Sequence, residues 1–151
     1  MTRIMLETRI EAGVERCFDL SLSVDLHTGS MAHTGERAVA GVTSGIMTLG
    51  DSVTWEARHF GVRQRLTSRI TVLERPYRFV DEQVRGAFAH FRHTHVFIPV
   101  SNGTLMLDDF EYSVPLGPLG RLVDALVLCA YMRKLLHQRN AFLKQTAEAC
   151  R

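Results

Sequence analysis

Cysteine is scarce in this 151-residue chain: Cys17, Cys129 and Cys150 are odd in number and show no CxxC spacing. That pattern fits free thiols in a reducing, cytoplasmic compartment better than a disulfide framework or a zinc site. Long hydrophobic runs are also missing. The longest, residues 125–132, is eight residues, far short of the ~20 that span a bilayer, so no transmembrane segment is expected. Residues 1–7 meet charge too early for the apolar stretch of a secretory signal. Charge of one sign is lacking too: 18 Lys and Arg face 16 Asp and Glu, spread without blocks, for a net charge of +2. That balance argues against a nucleic-acid partner. No GxSxG, P-loop, GxGxxG or HExxH pattern occurs, which removes motif support for nucleophilic hydrolysis, phosphate cradling and dinucleotide binding. With no internal repeat and no linker, residues 1–151 are expected to form a single domain.

What is present is periodicity. Ile4, Leu6, Thr8 and Ile10 alternate with Arg3, Met5, Glu7 and Arg9, the signature of a half-buried strand. From Gly13 the apolar spacing turns helical through Val14, Cys17, Phe18, Leu22 and Leu26, broken near Ser21 and Ser23 into two short helices, and residues 27–35 read as a loop. The Gly-, Ser- and Thr-rich residues 41–50 suggest a bent or bulged strand. Two strands joined near Gly61 follow, then a turn at Glu74-Arg75-Pro76-Tyr77, then strands over 79–86, 91–100 and 104–114. Ser101-Asn102-Gly103 joins the last two, since Asn-Gly tolerates positive φ. About thirty residues after Gly120 contain no Pro or Gly and are rich in Leu, Ala, Arg, Lys and Gln. They predict one long helix spanning ~45 Å, with an apolar stripe of Leu119, Leu122, Val123, Leu126, Cys129, Ala130, Leu136 and Leu143. The sum is α+β: a curved antiparallel sheet of about six to seven strands wrapped around a long C-terminal helix.

Several segments resemble the START-like (SRPBCC) superfamily, and within it an uncharacterised, polyketide cyclase/dehydrase-like branch. They are Val53-Thr54-Trp55-Glu56-Ala57-Arg58-His59-Phe60-Gly61, Phe79-Val80-Asp81-Glu82-Gln83-Val84, His93-Thr94-His95-Val96-Phe97, Asp108-Asp109-Phe110-Glu111-Tyr112 and Pro115-Leu116-Gly117-Pro118-Leu119-Gly120. The resemblance covers nearly the whole chain and implies the helix-grip fold, with a cavity between sheet and helix. Residues 135–140, Leu-Leu-His-Gln-Arg-Asn, depart from the aromatic-rich end usual for the last helix in that branch.

Cavities of this kind are mostly apolar with a few fixed polar groups. Strand parity puts Trp55 with His59 and Gln64 with Ser68, and the expected ligand-binding set is Trp55, His59, Gln64, Ser68, Gln83, Phe91, His93, His95, Asp108, Tyr112 and Leu126. Trp55 is read equally well as plain core. His93 and His95 lie on one strand face about 7 Å apart along the strand. With His59 and Asp108 nearby a metal site is conceivable, but HxH on a strand also arises by chance, and neither metal nor cofactor is expected. Asp108 is placed to orient one of the two imidazoles, as an acid/base dyad or an ordinary buried ion pair. The expected function is binding of a small hydrophobic or amphipathic molecule, lipid-like or polyketide-like. The alternatives are a cyclase or dehydratase acting through the His and Asp groups, and a protein-interaction module using the arginine stripe Arg63, Arg65 and Arg69 or the apolar helix centre. A homodimer is compatible with each.

Overall fold

A computed structural model describes residues 1–149; Cys150, expected as a free thiol, lies outside the described residues. Seven strands form one antiparallel sheet: β1 (Thr2–Ile10), β2 (Arg37–Gly41), β3 (Ser52–His59), β4 (Val62–Glu74), β5 (Arg78–Arg85), β6 (His90–Val100) and β7 (Gly103–Ser113). Their spatial order is β1-β7-β6-β5-β4-β3-β2, so the first strand returns beside the last. Short helices α1 (Val14–Ser21) and α2 (Val24–Ser30) follow β1, and a single 3-10 turn spans Ala32–Thr34. The chain then ends in α3 (Gly117–Val123), a π-helical segment (Asp124–Leu128) and α4 (Cys129–Ala149). The expected α+β helix-grip architecture is thus present.

Local chemistry accounts for the boundaries. Ser23 caps α2 by accepting a hydrogen bond from the Leu26 amide at 3.1 Å. Asn102 takes φ of 62° between β6 and β7, the turn expected from Asn-Gly. At Gly120 a β-carbon would stand 1.8 Å from the Pro115 carbonyl oxygen, so only glycine lets α3 fold back this closely.

Three details differ from the sequence-based expectation. The edge strand after the short helices is Arg37–Gly41, four residues earlier than the Gly-rich stretch, and bulges between Ala38 and Ala40. Residues 42–51 are irregular instead, with positive φ at Gly45 and Gly50, an isolated bridge from Ile46 to Ser23 and a turn at 49–50. His27, expected in a loop, lies in α2. The long helix is continuous but contains a π segment, which rotates its two halves relative to one another. Leu136 and Leu143 are accordingly buried, whereas Leu119, Leu122, Val123 and Leu126 are exposed.

The core has two apolar clusters. Phe18, Phe79, Phe97, Trp55, Ile70 and Leu143 belong to one, with Phe18 meeting Phe79 and Phe97 edge-on at 5.5 and 5.4 Å. Ile4, Leu6, Phe91, Phe110, Tyr112 and Leu136 belong to the other. Strand alternation on β6 buries Phe91, His93, His95 and Phe97, so two imidazoles fall between the aromatic clusters.

Candidate functional site

Between the sheet, the short helices and the α3–α4 region lies a cavity of about 500 Å³. Its wall is mainly apolar: Trp55, Ile70, Phe79, Phe91, Phe110 and Leu136 contribute. A drug-sized or lipid-sized molecule matches that volume.

The larger polar part of the wall, with the residues packed behind it, is a layer of histidines and carboxylates assembled from four elements. His93 and His95 come from β6, and Asp108 on β7 is the register partner of His95. Asp81 on β5 is the register partner of His93, and Asn140 with Arg139 comes from α4. His93 Nε2 is 2.8 Å from Asp108 Oδ1, and Asn140 Nδ2 donates to Asp108 Oδ2 at 2.7 Å. Arg139 Nη1 donates to Asn140 Oδ1 at 3.0 Å and lies 3.6 Å from Asp108 Oδ1. His95 Nε2 is 3.0 Å from Asp81 Oδ2. Its other nitrogen, Nδ1, is buried 3.3 Å from Asp108 Oδ1 without a hydrogen-bond partner among the described residues. The two imidazoles stack with centroids 3.8 Å apart, and Phe79 stacks on His95 at 4.1 Å.

Electrostatics follow from this packing. Burial pushes the Asp108 carboxyl up, but its hydrogen bonds and charge interactions with His93 and His95 outweigh burial and hold it well below the usual carboxylate range. Asp81 is lowered too: the His95 imidazole overcomes the burial that opposes ionisation. Burial and the neighbouring His95 depress His93 to about 4, against the pull of Asp108. His93 is therefore a neutral imidazole at neutral pH. Because the ionised Asp108 accepts at Nε2, Nε2 carries the proton and Nδ1 the lone pair.

A second polar group lies elsewhere along the wall. His27 Nε2 approaches Glu36 Oε1 at 3.2 Å and its ring stacks on Trp55 at 4.3 Å. His59 Nδ1 shares a 2.7 Å hydrogen bond with the Tyr131 hydroxyl, joining β3 to α4, and burial lowers the His59 pKa.

Of the residues expected to bind ligand, Trp55, His59, Gln64, Ser68, Phe91, His93 and His95 line the cavity. Four stand elsewhere. Asp108 is buried behind the histidines it contacts. Tyr112 is fully buried and donates its hydroxyl to Asp124 in the π segment, which Thr2 also reaches. Gln83 is held by its Nε2 donating to the Phe88 carbonyl at 2.9 Å. Leu126 is 72 % exposed, because the π segment turns it outward. Arg63, Arg65 and Arg37 surround Glu56 on the outer face; the hydrogen bonds from Arg37 and Arg65, both at 2.9 Å, lower its pKa.

Sequence reading missed Asp81, Asn140 and Arg139. The signals were available: Asp81 shares the parity of buried Phe79, and Asn140 falls at helical spacing between Leu136 and Leu143.

No family model matches the sequence, and no curated protein matches it. Solved structures do match. TTHA0849 from Thermus thermophilus superposes with a TM-score of 0.79 at 19 % identity, covering 98 % of each chain. The di-domain ARO/CYC StfQ from the steffimycin biosynthetic pathway gives 0.77 at 13 % identity, covering 97 % of this chain and 50 % of that one. Major latex-like protein 151 from Panax ginseng gives 0.67 at 12 % identity, covering 97 % of both. These likenesses show the helix-grip fold; a shared fold does not carry a shared chemistry.

Proposed function

We propose that residues 1–151 act as one ligand-binding domain that holds a small amphipathic molecule in the 500 Å³ cavity, its polar end toward the histidine–carboxylate layer. The observation that carries this reading is the contrast within the wall: mainly apolar, with a dense polar layer at Asp81, His93, His95 and Arg139 and a smaller polar group at His27, Glu36, His59 and Tyr131. The free thiols of Cys17 and Cys129 support a cytoplasmic setting, and among the described residues no helix is long and apolar enough to cross a membrane.

Native mass spectrometry of freshly purified protein, followed by organic extraction, tests the proposal. A reproducible co-purifying apolar mass, or saturable uptake of a fluorescent fatty acid, is the expected result. Uptake should fall at least tenfold in Ser68→Phe, which fills the cavity from β4. A protein that takes up no apolar probe, or takes it up equally well with the cavity filled, refutes the reading.

One observation favours a second reading, an acid–base enzyme acting on the bound molecule. The 2.8 Å His93–Asp108 pair sets the tautomer of a neutral imidazole in the cavity wall, the arrangement a general base needs. Solvent-deuterium incorporation at the α-carbon of a bound ketone, lost in His93→Gln, would support it.

A further inference from the structure

We infer that Asp81, His93 and His95 form a binding site for a divalent transition-metal ion of the Zn²⁺ or Co²⁺ kind, opening on the cavity. This goes beyond ligand binding and does not depend on it. Each of the three residues offers one ligand atom, and these atoms all lie within 4.8 Å of one another. Two donors each ~2.1 Å from one ion are about 3.0 to 3.4 Å apart at the angles of octahedral and tetrahedral sites. The His95 Nε2 to Asp81 Oδ2 separation is 3.0 Å, so an ion can replace the proton these two atoms share with little movement. His93 completes the set by drawing in toward them.

Three further features fit a cation. The chemistry of the donors, two imidazoles and one carboxylate, suits borderline divalent ions and leaves coordination positions free for water or a ligand in the cavity. Asp108 sits behind both rings, 2.8 Å from His93 Nε2 and 3.3 Å from His95 Nδ1, where a carboxylate orients metal-bound imidazoles and fixes the nitrogen that binds. Asp108 is itself positioned by Asn140 and Arg139. Lastly, carboxylates of Asp81 and Asp108 flank the rings, and the buried His95 Nδ1, 3.3 Å from Asp108 Oδ1, has no hydrogen-bond partner among the described residues. The two carboxylates are placed to offset the charge of a bound divalent ion.

The test is titration of chelator-stripped protein with Zn²⁺ and with Co²⁺, free of any organic ligand, followed by calorimetry, native mass spectrometry and the visible spectrum of Co²⁺. One ion per chain is expected, with Co²⁺ bands of nitrogen and oxygen ligation. Asp81→Asn and His95→Gln should each weaken binding about 100-fold, and Asp108→Asn about tenfold, in keeping with its place behind the ligands. The exposed His137→Gln should bind as the parent does. Because a substitution in this layer can impair folding, the parent protein also reports directly: Zn²⁺ should shift the His93 and His95 imidazole resonances and leave those of His90 and His137 unmoved. No stoichiometric uptake by the parent, uptake that persists unchanged in His95→Gln, or resonance shifts confined to other histidines would overturn the inference. Failure here leaves the fluorescent fatty-acid result standing, and failure there leaves this one.

Discussion

Folding stability should fall steeply with acid between pH 6.5 and pH 4, and the buried His93 should be the cause. Its pKa moves from 6.5 to about 4 on folding, because burial and the neighbouring His95 disfavour the imidazolium more than the facing Asp108 and Asp81 favour it. A histidine whose folded pKa is depressed binds a proton in the unfolded chain before it does in the native one. Stability is therefore fully present above the unfolded value and is lost as pH drops toward the folded one. A tenfold difference in proton affinity between the two states is worth ~1.4 kcal/mol, so the loss is roughly 2.5 kcal/mol by pH 4.5 and about 3 kcal/mol at the end of the window. For a domain of this size that is a drop in Tm of about 5 to 10 °C. The titratable and charged groups facing His93 are Asp81 from β5, His95 from its own strand, Asp108 from β7 and Arg139 from α4. The two carboxylates are lowered in the fold, so their stabilisation is present above their ordinary range and is lost only below it. His59, also lowered by burial, contributes less in the same direction. Urea unfolding in the presence of chelator at pH 7.5, 6.5, 5.5 and 4.5, for the parent and for His93→Gln, measures the effect. A flat profile for the parent, or an equal slope in His93→Gln, refutes the reasoning, as does a His93 resonance that titrates at or above 6.5 in the folded protein.

Asn140→Leu should destabilise the protein by ~1.5 to 3 kcal/mol in urea unfolding at pH 7.5, since it removes a hydrogen bond to the buried, charged Asp108. Tyr112→Phe should cost about 1 to 3 kcal/mol in the same assay, because Asp124 loses a buried donor, and hydrogen exchange should quicken across residues 124–128. Phe97→Ala should cost ~3 to 5 kcal/mol by opening a cavity among Phe18 and Phe79; a loss under 1 kcal/mol would contradict the tight packing of these three rings.

Much of the fold was legible because alternation has a physical cause. Side chains on a strand point to opposite faces, so apolar residues recurring at alternate positions in β1, and framing the histidines of β6 and Asp108 of β7, announce one buried face each. Long-range register was not legible. His93 and His95 could be placed on one face from spacing alone, but nothing in the spacing says that β5 lies against β6 with Asp81 opposite His93. Asp81 consequently went unnoticed. The mistaken placement of Leu126 has a local origin: five residues of π-helix change the angular step, and a stripe drawn at a constant helical period drifts off the buried face.

The sequence by itself determined the α+β class, most strand positions, the turn at Asn102, the pairing of imidazoles on one face and the length of the final helix. Only the tertiary structure decided what those imidazoles meet. Hydrophobic periodicity is a property of neighbours along the chain, whereas the layer of Asp81, His93, His95, Asp108 and Asn140 unites residues from three strands and a helix whose relation is set by pairing and packing. Their ionisation depends on that packing as well, because burial and partner charges exist only once the chain has closed around them.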